Sequence, residues 1–191
     1  MKLYGSIPSP FVRRIRLMLA NVEHEFINLQ IFSGDDRAIL AKKNPTLKIP
    51  MLEADDHIIF DSRVIFQYLS EKLGMTPLTW DEENQLTLID AANDTFVQLL
   101  MLQRSGFDIK EDKQYFNLQH ERIETTLSTL DSMVNEGYFN QWNYPAMCLY
   151  SLIDWIEFRE LHSLQGLDAL KRFRVEHCER IEVTATDPRV E

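Results

Sequence analysis

The chain has 191 residues, 45% of them hydrophobic and 26% charged, and 20 Lys and Arg against 30 Asp and Glu give a formal net charge of −10. This length allows one large domain or two small ones with a true core, the composition excludes disorder, and the negative balance argues against non-specific nucleic-acid binding, which needs cations to displace counterions from phosphate. Two cysteines, Cys148 and Cys178, are too few for a disulfide framework or a zinc site and are expected to be core or half-buried thiols. The opening "MKLYGSIPSPF" lacks the apolar run of a secretory signal. The most apolar later stretch, Tyr144 to Ile156, carries Asp154 and falls short of the ~20 residues of a membrane helix. The expectation is a soluble, cytoplasmic chain with no membrane or nucleic-acid partner and no metal.

Lys2 to Gly5 reads as a first strand. Pro10 to Asn21 reads as a helix, with Phe11, Val12, Ile15, Met18 and Leu19 on one face and a basic patch, Arg13, Arg14 and Arg16, mostly on the other. "HEFINLQ" (24–30) alternates as a second strand would, and Asp35 to Lys43 is a shorter helix stopped by the prolines of "NPTLKIP" (44–50). "MLEA" and "HIIF" flank Asp55-Asp56 as a hairpin, and Ser62 opens a helix to about Leu73. The order β-α-β-α-β-β-α results.

From Gly74 the pattern changes. "GMTPLTW" (74–80) reads as a linker, followed only by helical patterns at Glu82 to Arg104, Gln114 to Val134, Tyr144 to Leu164 and Leu167 to Cys178. Gly137 suits a left-handed cap after the second of these, and the tail "VTATDPRVE" (183–191) is expected to be extended and partly loose. The fold class is therefore α/β plus all-α, with domains at 1–75 and 82–191 joined by a linker at 76–81.

Three short segments can carry chemistry. Ser9-Pro10 is a helix-start signature, and the same geometry aims free N–H groups and the positive helix end at one spot, where an anion such as a thiolate would sit. Lys48-Ile49-Pro50 is either a plain strand opener or a cis Ile49–Pro50 bond presenting the Ile49 backbone to an extended peptide. Asp61-Ser62 is either an N-cap or a holder for the carboxylate and ammonium of an amino-acid terminus.

"SPFVRR", "NPTLKIP" and "FDSRVIFQYL", in this order on one βαβαββα frame, resemble the glutathione-contacting segments of the cytosolic glutathione S-transferases, especially small bacterial members carrying "SPFVR". The resemblance implies a thioredoxin-like N-terminal domain, a helical-bundle C-terminal domain, glutathione as co-substrate and a homodimer acting in detoxification. It assigns stabilisation of the glutathione thiolate to Ser9, backbone bonds to Ile49, a cis bond to Pro50 and the γ-glutamyl end to Asp61 and Ser62. Lys48 and the Arg13 cluster are assigned the glycine carboxylate, or else form a solvated basic face. A hydrophobic electrophile would meet Ile7, Phe11, Leu100, Gln103, Arg104 and Phe107, all of which also suit plain packing.

A serine at position 9 disfavours mixed-disulfide chemistry, which needs a cysteine. The Ser9 hydroxyl is expected to turn toward the glutathione sulfur and leave the helix N–H groups to other partners. The sequence departs from the family at Asn143-Tyr-Pro-Ala146, where Ala146 replaces the Asp of a capping box. The rival readings are a non-catalytic glutathione-binding protein and a transcription-associated interaction protein like the stringent starvation proteins.

Overall fold

The structure is a computed structural model and describes residues 1–190. Four strands, β1 (Lys2–Gly5), β2 (Glu25–Asn28), β3 (Met51–Ala54) and β4 (His57–Phe60), form one sheet in the order β2-β1-β3-β4. β1 and β2 are parallel, as the crossover through α1 (Pro10–Met18) requires, whereas β1/β3 and β3/β4 are antiparallel. Tyr4 stands opposite Met51, and both pack with Leu29 and Leu40 of the α2 side (Gly34–Lys43). Leu3 and Leu52, one residue along each strand, alternate to the other face. That face belongs to α1 and α3 (Ser62–Lys72), whose Val12, Ile15, Ile65 and Leu69 are closed to solvent. The N-terminal domain is thus thioredoxin-like, and a helical region follows it.

The chain forms two compact units, one of Met1–Pro77 with the segment from Arg180, the other Leu78–Glu179. The tail expected to be extended instead forms a one-turn helix, α8 (Ile181–Thr184), within the first unit. Arg13 holds it: Nη2 donates to the Val183 carbonyl at 3.1 Å and Nε to Thr186 Oγ1 at 3.4 Å. Glu191, the last residue of the predicted tail and domain, lies outside the described residues.

The basic patch is not found on the surface. Arg13, Arg14 and Arg16 are 4%, 0% and 8% exposed. Arg14 lies over the Phe11 ring and Arg16 over Phe26, at 4.8 and 4.3 Å. Helical periodicity identifies a polar face only where one side of the helix meets water. α1 is covered on more than one side, and its arginines bury their stems and turn their heads against protein groups, although Nε and Nη2 of Arg14 make no hydrogen bond there.

In the second unit α4 (Trp80–Arg104), α5 (Gln114–Asn135), α6 (Tyr144–Phe158) and α7 (Asp168–His177) pack pairwise. α6 is the central helix, buried almost all round, with Leu149, Leu152, Ile153 and Ile156 fully closed to solvent. Of its two acids, Asp154 is 1% exposed, and both Asp154 and Glu157 accept from Arg174 Nε at 2.8 Å.

α4 starts inside the predicted linker, because Thr79 and Glu82 form a capping box: the Thr79 N–H donates to Glu82 Oε2 at 2.8 Å, and the Glu82 N–H to Thr79 Oγ1 at 3.3 Å. Asn143 caps α6 by accepting from the Ala146 N–H at 3.2 Å. Its amide also donates to Glu82 Oε1 at 2.8 Å, so one carboxylate serves two helix starts and offsets the reciprocal bond that Ala146 cannot make.

α6 ends at Phe158, six residues before the predicted end at Leu164. The Glu160 N–H donates to Glu157 O at 3.1 Å and the Leu161 N–H to Ile156 O at 2.9 Å, the paired bonds of a Schellman end. The left-handed position of that motif usually holds glycine, as Gly106 and Gly137 do after α4 and α5, but here it holds Glu160 at φ 52°.

Candidate functional site

β1 stops at Gly5, and the choice of residue there is steric. A Cβ at Gly5 would lie 2.5 Å from Val12 Cγ1, so only glycine lets α1 come this close to the strand end. The turn that follows is closed by the Ser9 N–H donating to Ser6 O at 3.0 Å and tied to β2 by the Ile7 N–H donating to Asn28 Oδ1 at 3.2 Å. Ser9 then takes extended geometry (φ −88°, ψ 124°) as the N-cap of α1, with Pro10 at the first helical position.

The half-buried Ser9 hydroxyl accepts from the Val12 N–H at 3.4 Å. The expectation that it would leave the helix N–H groups alone is therefore corrected. The error lay in treating the two roles as rivals: a hydroxyl accepts through its lone pairs and donates through its single hydrogen. Capping uses the oxygen, and the O–H that a thiolate needs stays available.

Tyr4, a second hydroxyl on β1, is committed elsewhere. Its O–H donates to Glu53 Oε2 at 2.8 Å, and Lys43 Nζ donates to the same oxygen at 2.8 Å. Burial, and then the bond to Glu53, push the Tyr4 phenol above its ordinary range. A phenol so held is a poor partner for a thiolate.

The loop before β3 is built on Asn44, which is fully buried. Its Nδ2 donates to Lys48 O at 2.8 Å, while its Oδ1 accepts from the Thr46 N–H and hydroxyl at 2.9 and 2.8 Å. These bonds hold Leu47 at φ 58° and lead into a cis Ile49–Pro50 peptide bond. The β3 ladder begins only at Met51, so Ile49 stands outside it, and Lys48 is exposed. Sequence reasoning missed Asn44, although an Asn-Pro pair is a turn signal.

At the start of α3 Asp61 is exposed and held at φ 70°, ψ 136°, with Oδ1 accepting from the Arg63 N–H at 2.8 Å. Conformations of this kind cost about 1–3 kcal/mol in a non-glycine residue and cluster at ligand sites. Ser62 is 3% exposed, and its Oγ accepts from Arg14 Nη1 at 3.5 Å. What Asp61-Ser62 offers a ligand is thus the Asp61 carboxylate and the first-turn N–H groups other than that of Arg63, which have no helical acceptor.

Of the residues predicted for an electrophile, Ile7 and Phe11 are half-buried in the first unit. Leu100, Gln103 and Phe107 line one cavity of about 540 Å³ within the helical unit, whose wall does not include the exposed Arg104. Cys148 is buried in α6, Cys178 is partly exposed after α7, and no disulfide joins them. Among the described residues no three His, Cys, Asp or Glu side chains converge as metal ligands. No helix among them is long and apolar enough to cross a membrane.

A strand-turn-helix with a capping serine, an Asn-built loop with a cis proline, and an Asp-Ser helix start all lie within one stretch of sequence that matches a known family. Residues 1–71 match the glutathione S-transferase N-terminal domain. An uncharacterized GST-like protein of Escherichia coli, YibF, is 25% identical to this chain over 173 residues, 84% of each. Glutathione S-transferase 4 of Zea mays is 40% identical over 94 residues, which are 47% of this chain and 42% of that one. Among solved structures, a glutathione S-transferase of Methylobacillus flagellatus with glutathione bound superposes with a TM-score of 0.85 at 21% identity, over 98% of both chains. A glutathione transferase family member of Pseudomonas fluorescens Pf-5, also with bound glutathione, gives 0.81 at 23% identity over 98% of both. At these identities the superpositions establish the fold alone, for the helical region as well as the N-terminal domain.

Proposed function

We propose that the chain is a glutathione transferase in which the Ser9 hydroxyl stabilises the glutathione thiolate for attack on a hydrophobic electrophile. The observation that carries the reading is Ser9 itself, which caps α1 through its oxygen and keeps its O–H to donate. A hydrogen bond to a charged group contributes about 1.5–3 kcal/mol, and ~1.4 kcal/mol is one pKa unit. Ser9 thereby brings a thiol of pKa ~8.5 to about 7, taking the thiolate from a few per cent to roughly half at neutral pH.

No general base is needed, because the thiol proton passes to water. The sulfur then forms its bond to carbon, and either the leaving group departs with its electron pair or, in an addition, the carbon side takes up a proton. We assign the γ-glutamyl end of glutathione to Asp61 and the N–H groups at Ser62, the cysteinyl backbone to Ile49 beside Pro50, and the glycine carboxylate to Lys48. Ile7, Phe11, Gln103, Arg104 and Phe107 are assigned to the electrophile. The buried Arg13, Arg14 and Arg16 are no longer candidates for the carboxylate. We further propose a cytoplasmic homodimer acting on reactive electrophiles.

The test is glutathione titration of the parent and Ser9→Ala, reading affinity and the ultraviolet absorbance of bound thiolate. The proposal expects binding in both and loss of most thiolate at neutral pH in Ser9→Ala. Binding without any thiolate in the parent would leave a glutathione-binding protein that is not a catalyst, and absence of binding would sink both.

A further inference from the structure

The cavity in the helical unit lies between the ends of two helices and the start of a third: Phe96, Leu100 and Phe107 come from α4 and the turn after it, Ile123 from α5, and Arg159 and Leu161 from the end of α6. Its volume, about 540 Å³, is that of a site for a small organic ligand. The apolar side chains form one part of the wall. On the other part Arg159 is half-buried, and its head lies over the Phe158 ring at 4.6 Å.

Among the described residues no carboxylate pairs with Arg159. Burial, and then the positive charge of Arg104, hold its guanidinium below the ordinary arginine range. A guanidinium in a cavity wall with no carboxylate upon it can take one from a ligand.

The rest of the wall narrows the choice. Lys110 lines it, but so do Asp108, whose Oδ1 accepts from the Lys110 N–H at 3.0 Å, and the exposed Glu160. Two acids disfavour a dianion such as phosphate, whereas a planar monoanion matches the guanidinium fork. His162 adds a second incomplete group: its Nε2 lies 2.8 Å from Glu124 Oε1, its ring edge meets Phe96, and its Nδ1 is buried with no partner. The wall is also held in an unusual backbone form, because Glu160, between Arg159 and Leu161, takes the left-handed conformation that favours glycine.

We propose that this cavity binds an amphipathic organic carboxylate, with its apolar body against Phe96, Leu100, Phe107 and Ile123 and its carboxylate on the Arg159 guanidinium. Binding concerns the helical unit alone. Where the ligand is also the electrophile, the inference rests on the transferase reading and gives that electrophile an acidic group.

The test is calorimetric titration of the full chain with 4-phenylbutanoate and with its uncharged twin, 4-phenylbutanamide. The acid is expected to bind about ten-fold tighter, as a charge-assisted bond requires. Arg159→Gln removes that preference while leaving amide binding, and Arg159→Lys keeps part of it. Equal affinities in the parent, or a preference that survives Arg159→Gln, would overturn the proposal. Should a variant fail to fold, a crystal of the parent with 4-phenylbutanoate decides the matter by whether the carboxylate lies on Arg159 or elsewhere. Glutathione titrated in parallel keeps the two readings apart: its failure to bind would remove the transferase reading without touching the acid preference.

Discussion

In the N-terminal unit three arginines on one nine-residue helix are at most 8% exposed, each placed against a hydroxyl, a carbonyl or an aromatic ring. In the helical unit Arg159, just past the end of α6 in a cavity wall, has no carboxylate paired with it among the described residues. In sequence the two groups look alike, as basic residues at helical spacing. The fold separates them by what surrounds each head: those of α1 are closed in against protein groups, even where Nε and Nη2 of Arg14 make no hydrogen bond, whereas the head of Arg159 borders a cavity that a ligand could enter.

The largest effect that would break this comparison is on stability. Arg14→Leu removes the bond to the Ser62 hydroxyl and the contact over the Phe11 ring and is expected to cost about 2–4 kcal/mol. Arg159→Leu should stay within about 1 kcal/mol of the parent. Denaturant melts of both variants measure the difference, and equal losses would mean that the two arginines play the same part.

A smaller effect sharpens the account of the cavity wall. Glu160→Gly removes a side chain from a left-handed position and should raise stability by about 1 kcal/mol. The acid preference should remain, since the guanidinium is untouched. A loss of stability would mean that the Glu160 side chain makes contacts outweighing its strain.

The smallest effect separates the units by pH. Glu53 is held below the usual carboxylate range by the Lys43 ammonium and then by the Tyr4 O–H, and Asp55 likewise by Lys72 and then Tyr68. A carboxyl depressed in the folded state contributes stability above its unfolded pKa of ~4, and that stability is lost as pH falls through the folded value. Lys43, raised chiefly by Glu53, contributes below its unfolded pKa of ~10.4 and loses that contribution as pH rises through the folded value. The melting temperature of Glu53→Gln should therefore fall less steeply than that of the parent between pH ~5 and ~3. Because these side chains are partly exposed and screened, the difference is small, and parallel curves would remove the pair from the account.

The frame of the N-terminal domain and the end of α5 were legible because their signals are local. Alternation marked the strands, Ser9-Pro10 marked the start of α1, and Gly137 marked the cap after α5, where it takes φ 88°. What stayed hidden depended on partners far along the chain. The burial of Arg13 needs α8, about 170 residues later, and the end of α6 needs a left-handed residue that carries no glycine to announce it. The Thr79–Glu82 box is visible as a T-x-x-E pattern, but Pro77 and Gly74 mark that stretch as linker and place the helix start at Glu82, two residues late. Asn44 had only its Asn-Pro pair to mark it. Arg159 gave no signal, because a missing counter-charge is a property of three-dimensional neighbours.

Ser9 joins the two halves of this account, since one hydroxyl caps a helix and, in the proposed reaction, holds a thiolate. The decisive measurement is the pH titration of bound-glutathione thiolate absorbance in the parent and Ser9→Ala, with affinity followed at each pH. A midpoint about one unit or more below that of free glutathione, returning toward it in Ser9→Ala, is expected. A midpoint equal in the two proteins would contradict the role assigned to Ser9 and leave it the cap of a helix.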